Sequence, residues 1–182
     1  MKFSIPFPNK KYKTIVTDPA WDIQPMKLKK YQLSVPYKTM TMRELQLMPI
    51  EDLADEDCGL FMWTTHTFLP KSLKLMEDWG FKYHCTLTWN KVSGLSHQGI
   101  FRVTEFVLFG YRGKIKNVIN QKGKYIPALF KESKGRHSSK PKIFDDYIRS
   151  NTPEPRLEMF ARVRKEGFDV IGNEVGFQEA LE

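Results

Sequence analysis

Thr-Ile-Val-Thr-Asp-Pro-Ala-Trp, residues 14–21, is the stretch around which the chain is organised. Ile15 and Val16 are β-branched and apolar and suit a buried strand. Pro19 has no amide hydrogen and a fixed φ, so it ends that strand. Asp18 is thereby placed at the strand's carboxyl end, the edge at which open α/β sheets bind their ligands. Trp21 follows at once. One short turn therefore carries a carboxylate, a backbone carbonyl without a ladder partner and a large aromatic ring.

Outward from this turn the pattern alternates between strand and helix. Residues 1–13 read as an irregular lead-in with Pro6 and Pro8. Residues 22–40 show no period and read as a mobile loop, and Thr41 caps a short helix over 42–47. Residues 58–65, Cys-Gly-Leu-Phe-Met-Trp-Thr-Thr, read as a buried strand. Thr67 is the expected cap of the next helix, with Leu69, Leu73 and Met76 at helical spacing and Gly80 as its stop. Strands are expected over 83–89 and 103–111, joined through a glycine-containing loop at 94–99. Ser138 or Ser139 is the expected cap of a helix with Pro141 in its first turn, and short strands follow over 156–161 and 168–171. Strand, helix, strand in this order predicts a doubly wound α/β sheet in one domain, residues 1–182.

The bulk composition narrows the class. Hydrophobic residues make up 41%, enough for a folded core at 182 residues. The formal net charge of +8 favours a polyanionic partner. Between residues 112 and 142 Glu132 is the sole acid among many lysines and arginines, so residues 112–136 are expected as a substrate-side loop touching phosphates. Cys58 and Cys85 sit in apolar stretches and read as buried free thiols in a reducing, cytoplasmic setting. The start lacks the apolar core of a signal peptide, and no run approaches the ~20 apolar residues of a membrane span. The histidines and cysteines lack metal-ligand spacing, so no metal is expected. Trp63 and Trp79 read as core, and Trp89 as either core or site wall.

The turn at 18–21 suits one kind of chemistry. An exocyclic amino group such as that of adenine is a poor nucleophile, because its lone pair is delocalised into the ring. Asp18 and the Pro19 carbonyl can each accept a hydrogen bond from it, and Trp21 can stack on the base once it has left a helix. Positioning does much of the rest. Asp-Pro-Ala-Trp is similar to the Asp-Pro-Pro-Trp motif of S-adenosylmethionine-dependent N6-adenine methyltransferases. Val-Pro-Tyr-Lys-Thr-Met (35–40), Gly-Leu-Phe-Met-Trp-Thr (59–64), Trp-Gly-Phe (79–81) and Thr-Trp-Asn-Lys (88–91) follow in order. His-Ser-Ser-Lys-Pro (137–141), Leu-Glu-Met-Phe-Ala-Arg (157–162) and Gly-Asn-Glu (172–174) complete a series that resembles the MT-A70 family in its bacterial and phage branch.

This resemblance implies a Rossmann-like methyltransferase fold of permuted order, the catalytic strand preceding the cofactor strand. It implies a catalytic turn of Asp18, Pro19 and Trp21, and an S-adenosylmethionine site of Asp18, Lys140, Glu158, Phe160, Arg162, Asn173 and Glu174. Tyr37, Lys91, Glu105 and Arg136 match positions on the substrate side. The expected reaction is methyl transfer to the N6 amino group of adenine in DNA. RNA is the first alternative, and a non-catalytic nucleic-acid-binding subunit is the alternative of another class. The resemblance also implies pairing, as a homodimer or with a related subunit, in the cytoplasm of a bacterial or phage-infected cell. Two positions depart from the family pattern. Ala20 replaces a second proline and is expected to loosen the turn, and Glu174 stands where eukaryotic members carry glutamine.

Overall fold

The structure is a computed structural model that describes residues 6–22, 27–28, 31–32, 39–97, 99–119, 125–133 and 140–180. Its strands are β1 (Tyr12–Thr17), β2 (Lys27–Leu28), β3 (Tyr31–Gln32), β4 (Ala54–Thr64), β5 (Lys82–His97), β6 (Ile100–Arg112), β7 (Leu129–Lys131), β8 (Arg156–Met159), β9 (Asp169–Gly172) and β10 (Gly176–Gln178). Its α-helices are α1 (Met42–Gln46), α2 (Ile50–Leu53), α3 (Leu69–Asp78) and α4 (Lys142–Asn151). Eight strands form one mixed sheet in the order β10-β9-β8-β1-β4-β6-β5-β7, and β2 and β3 pair separately. The expected α/β class holds.

β1 lies near the middle of the sheet, parallel to β4 on one side and to β8 on the other. A central strand is covered on both faces, so apolar residues occupy both alternating sets of positions. Ile15, Leu60, Met62 and Leu157 face a core with Leu45, Leu75, Met76 and Trp79 from α1, α3 and the turn after α3. Val16, Phe61, Trp63 and Val170 face the other core, with Phe144 and Ile148 of α4. Trp63 and Trp79 are buried core residues as expected, and Trp89 is buried too, its indole N–H donating to the Glu132 carbonyl at 2.8 Å.

Several local signals act as read. Thr41 caps α1 in a capping box with Glu44. Gly80, at φ +79°, follows the last turn of α3, and the Phe81 amide returns to the Met76 carbonyl at 3.0 Å. Others do not. Thr67 does not cap α3; Phe68 stands at that position without a side-chain cap, and the Thr67 hydroxyl accepts from Arg102 instead. Pro141 precedes the first turn of α4 rather than lying within it. The carboxylate of Glu132 accepts from the Lys142 and Ile143 amides at 2.8 and 3.1 Å and supplies the cap. Ser138 and Ser139 lie outside the described residues.

The expected loop at 94–99 is largely strand: β5 and β6 pair out to His97 and Ile100, with a register shift between Asn90 and Leu95 and Val92 at φ +67°. β7 and β10 are three-residue edge strands that the sequence pattern does not announce. The expected substrate-side loop 112–136 divides. Its first part turns at the amino-terminal end of β4, where Asp57 accepts from the Lys114 amide at 2.6 Å and the Asn117 amide group at 2.5 Å. β6 runs antiparallel to β4 and carries Arg112 back to Cys58, whereas β7, parallel to β5, points toward the carboxyl-terminal edge. Cys58 is buried and Cys85 half-buried, both as free thiols. Among the described residues no helix is long and apolar enough to cross a membrane.

Candidate active site

The parallel strands β1, β4, β8 and β9 end at one edge of the sheet. The loops that follow them supply most of two adjoining cavities. The first, of about 200 Å³, is bounded by the 18–21 turn, by Thr65 and Phe68 after β4, and by Glu105 of β6. Lys140 and the loops after β8 and β9, through Phe160, Arg162, Asn173 and Glu174, close it. The second, of about 290 Å³, lies beneath Glu158 and also touches Trp63, Asp145, Val163 and Lys165. Asp18, Lys140, Phe160, Ala161 and Arg162 line both.

The turn is held by its own backbone. The Pro19 carbonyl accepts from the Trp21 amide at 2.7 Å, and the Ala20 carbonyl accepts from the Met40 amide at 2.7 Å. That second bond anchors the residue at which a proline was expected. Each carbonyl oxygen has two lone pairs, so Pro19 keeps one acceptor site for a ligand. Asp18 remains 41% exposed, and it faces Lys140 at 2.9 Å.

A chain of alternating charges starts there. Lys140 also contacts Glu105 at 3.4 Å, and Glu105 meets Lys91 at 3.1 Å. Lys140 sits 4.8 Å from the centroid of the Trp63 ring, a cation–π contact. Burial by itself lowers the Lys140 ammonium, but the Asp18 and Glu105 carboxylates outweigh it and hold that group above its ordinary value. Burial works to raise the Glu105 carboxyl, and Lys140 and Lys91 more than cancel it, leaving Glu105 below the usual carboxylate range.

A second charged group surrounds Glu158 at the end of β8. Lys165 contacts Glu158 and reaches Asp145 of α4 at 2.8 Å. Burial raises the Glu158 carboxyl against the opposing pull of Lys165. Phe160, the next residue but one, has φ +61°, a conformation that side-chain-bearing residues rarely adopt and that is concentrated at functional sites. Beside it Gly172 is required: an added Cβ there would meet the Ala161 carbonyl oxygen at 1.9 Å. The close approach of these two loops lets Arg162 and Glu174 meet at 3.5 Å.

The expected residues Asp18, Pro19, Trp21, Glu105, Lys140, Phe160, Arg162, Asn173 and Glu174 thus line one cavity, and Glu158 lines its neighbour. Lys91 reaches the site through Glu105. Tyr37 and Arg136 lie outside the described residues. Trp21 differs from its expected form. It is only 7% exposed, stacked on Phe68 with centroids 5.3 Å apart and planes at 9°, and its buried indole nitrogen has no hydrogen-bond partner among the described residues. Phe68, Asp145 and Lys165 were not among the candidates. Phe68 carried one usable signal, an aromatic residue in the first loop past a buried strand at the ligand edge. Asp145 and Lys165 carried none, because a helix-face acid and a loop lysine look solvated in sequence.

The MT-A70 family model matches residues 12–174. The chain belongs to the MT-A70 family. The matched segment runs from the first residue of β1 to Glu174, so every residue that lines the two cavities lies within it. The chain is also similar to the Type II methyltransferase M.MunI of a Mycoplasma species, 32% identical over 187 residues, covering 92% of this chain and 79% of that protein. An eight-stranded mixed sheet with helices on both faces fits the Rossmann-like architecture expected of an MT-A70 methyltransferase.

Proposed function

We propose that this chain transfers a methyl group from S-adenosylmethionine to the N6 amino group of adenine in DNA. The observation that carries the reading is the position of Asp18. It stands with the Pro19 carbonyl at the junction of two cavities, at the carboxyl end of a central parallel strand. The chain then has a permuted order, with β1 as the catalytic strand preceding β8 as the cofactor strand.

The donor set fits S-adenosylmethionine. Glu158 offers a carboxylate to ribose hydroxyls, and Lys140 and Arg162 offer cations to a carboxylate. Phe160 offers a ring, and Asn173 an amide that both donates and accepts. When bound, S-adenosylmethionine supplies a methyl carbon made electrophilic by its sulfonium. The protein's part is to present the nucleophile. Asp18 accepts one hydrogen of the amino group and the free lone pair of Pro19 accepts the other, which localises the nitrogen lone pair and aims it. Lys140 keeps its contact with Glu105 and exchanges the one with Asp18 for the ligand, so the Asp18 carboxylate is released as an acceptor when the site fills. Phe68, backed by the buried Trp21 ring, supplies the aromatic wall against which an extruded base stacks. The assignment to DNA rests on the likeness to a Type II methyltransferase and on the net charge of +8.

The test is transfer of labelled methyl to matched single-stranded DNA, duplex DNA and RNA, with Asp18→Ala alongside. N6-methyladenine in DNA, lost in the variant, supports the reading. Methyl on RNA alone replaces the substrate class. Methyl transfer that survives in Asp18→Ala overturns the mechanism, and absence of both transfer and cofactor binding favours a binding subunit.

A further inference from the structure

Lys165 has no place in the reaction as set out, yet it is the best-placed cation in the second cavity. It projects from the loop between β8 and β9, its ammonium 5.3 Å from the centroid of the Phe168 ring. Its side chain is 15% exposed and that of Glu158 20%. Lys165 meets Oε2 of Glu158, an oxygen with essentially no solvent contact. Oε1 has no salt-bridge partner among the described residues and is the acceptor offered to a ligand in the cavity that Glu158 lines. On its far side Lys165 contacts Asp145 of α4, so the lysine is held from two elements and cannot swing freely.

A carboxylate at this depth needs such a partner. Glu158 is faced by Lys165 from its own loop, by Asp145 from α4 and by Asp18 from the β1 turn, while Lys140 and Arg162 lie further along the same cavity wall. Two of those neighbours are acids, and burial also favours the neutral form. A protonated Glu158 offers one acceptor oxygen fewer to a pair of hydroxyls. Lys165 is the cation in contact with it, and it opposes all three effects.

We propose that Lys165 is a positioning residue for cofactor binding, which neutralises and orients Glu158 so that this carboxylate can take the vicinal hydroxyls of the cofactor's ribose. The inference rests on the reading of Glu158 as a cofactor ligand given above. Asp145 is the counterweight: it fixes the lysine and at the same time makes Glu158 harder to ionise.

The experiment is equilibrium binding of S-adenosylhomocysteine by calorimetry across pH, with thermal unfolding of each variant. In the wild-type protein, affinity falls as pH drops through the raised Glu158 value. In Lys165→Met the midpoint of that fall moves upward by about 1 to 3 pH units, with about 10-fold or greater loss of affinity near neutrality. Lys165→Arg restores both. Asp145→Asn moves the midpoint the other way, and it serves as the test should Lys165→Met not fold. A uniform loss of affinity with an unmoved midpoint makes Lys165 a packing residue and overturns the inference, as does wild-type binding in Lys165→Met. Glu158→Gln separates the two readings. If it binds as wild type, the assignment of Glu158 falls; if it loses binding while Lys165→Met does not, the inference alone is overturned.

Discussion

The two edges of the sheet use the same charged residue types for opposite ends. At the amino-terminal edge each of three charges has at least one bond to backbone, whatever side chains it also meets. Asp169, at the start of β9, accepts from Tyr12, Lys10 and the Ala180 amide at 2.7, 2.8 and 2.8 Å. Arg156, at the start of β8, donates to the carbonyls of Thr152 and Arg149 at 2.6 and 2.9 Å. Asp57 holds the turn after β6. At the carboxyl-terminal edge the charges meet one another around space: Asp18 with Lys140 and Glu105, and Glu158 with Lys165 and Asp145. A charge satisfied by backbone is committed to the fold. A charge satisfied by a neighbouring side chain can exchange that partner for a ligand.

The comparison predicts that substitutions at the two edges separate activity from stability. The largest effect belongs to Asp18→Ala, which removes the acceptor proposed for the amino nitrogen. Methyl transfer should fall by about 10²-fold or more, while the unfolding transition stays in place because the side chain is 41% exposed and bonded to no backbone group among the described residues. A cooperative loss of fold in this variant would erase the distinction between the edges.

Asp169→Ala should do the reverse. It leaves the Tyr12 hydroxyl and the Ala180 amide without their acceptor, at a cost of about 2 to 4 kcal/mol in denaturant unfolding. The folded fraction should keep its cofactor affinity. Burial works to raise the Asp169 carboxyl, but Lys10, Tyr12 and the Ala180 amide hold it below the ordinary value of 3.8. A depressed carboxylate contributes stability that is present above the unfolded value and lost as pH falls through the folded one. Acid unfolding below about pH 4 should therefore flatten in Asp169→Ala, since the variant has already lost that contribution.

Phe68→Ala sharpens the account of the site edge. Loss of the ring stacked on Trp21 should weaken capture of a single-stranded oligonucleotide carrying 2-aminopurine by about 10-fold. Phe68→Tyr should retain binding, and equal capture by all three proteins would confine Phe68 to packing. The smallest effect is expected at Glu132→Ala, which uncaps α4 and should cost about 1 kcal/mol in thermal unfolding. Because that helix starts two residues after Lys140, a small rise in cofactor Kd should accompany it.

What could be read in advance was whatever a few adjacent residues decide. The 14–21 stretch placed a strand, its stop and an acid at the ligand edge. The Thr41 cap and Gly80 bounded their helices because each acts within one turn. The ordered motifs identified the family, and with it most of the residues that line the two cavities. The signals that misled were local ones with a distant competitor. Thr67 is a fair cap in sequence but is drawn to Arg102 of a neighbouring strand. Glu132 looked like a stray acid in a basic run, yet it caps a helix that begins ten residues later.

Chain order alone established the α/β class, the family and the position of the 18–21 turn at the ligand edge, because periodicity, proline and glycine act on the backbone within a few residues. The tertiary structure decided which charges share a cavity. It sent residues 112–119 to the far edge through the antiparallel run of β6, set Phe68 on the face of Trp21, and brought Lys165 and Asp145 to Glu158. Those contacts join residues far apart in the chain. Coulombic and stacking interactions depend on distance in space, so only the fold determines which of them form.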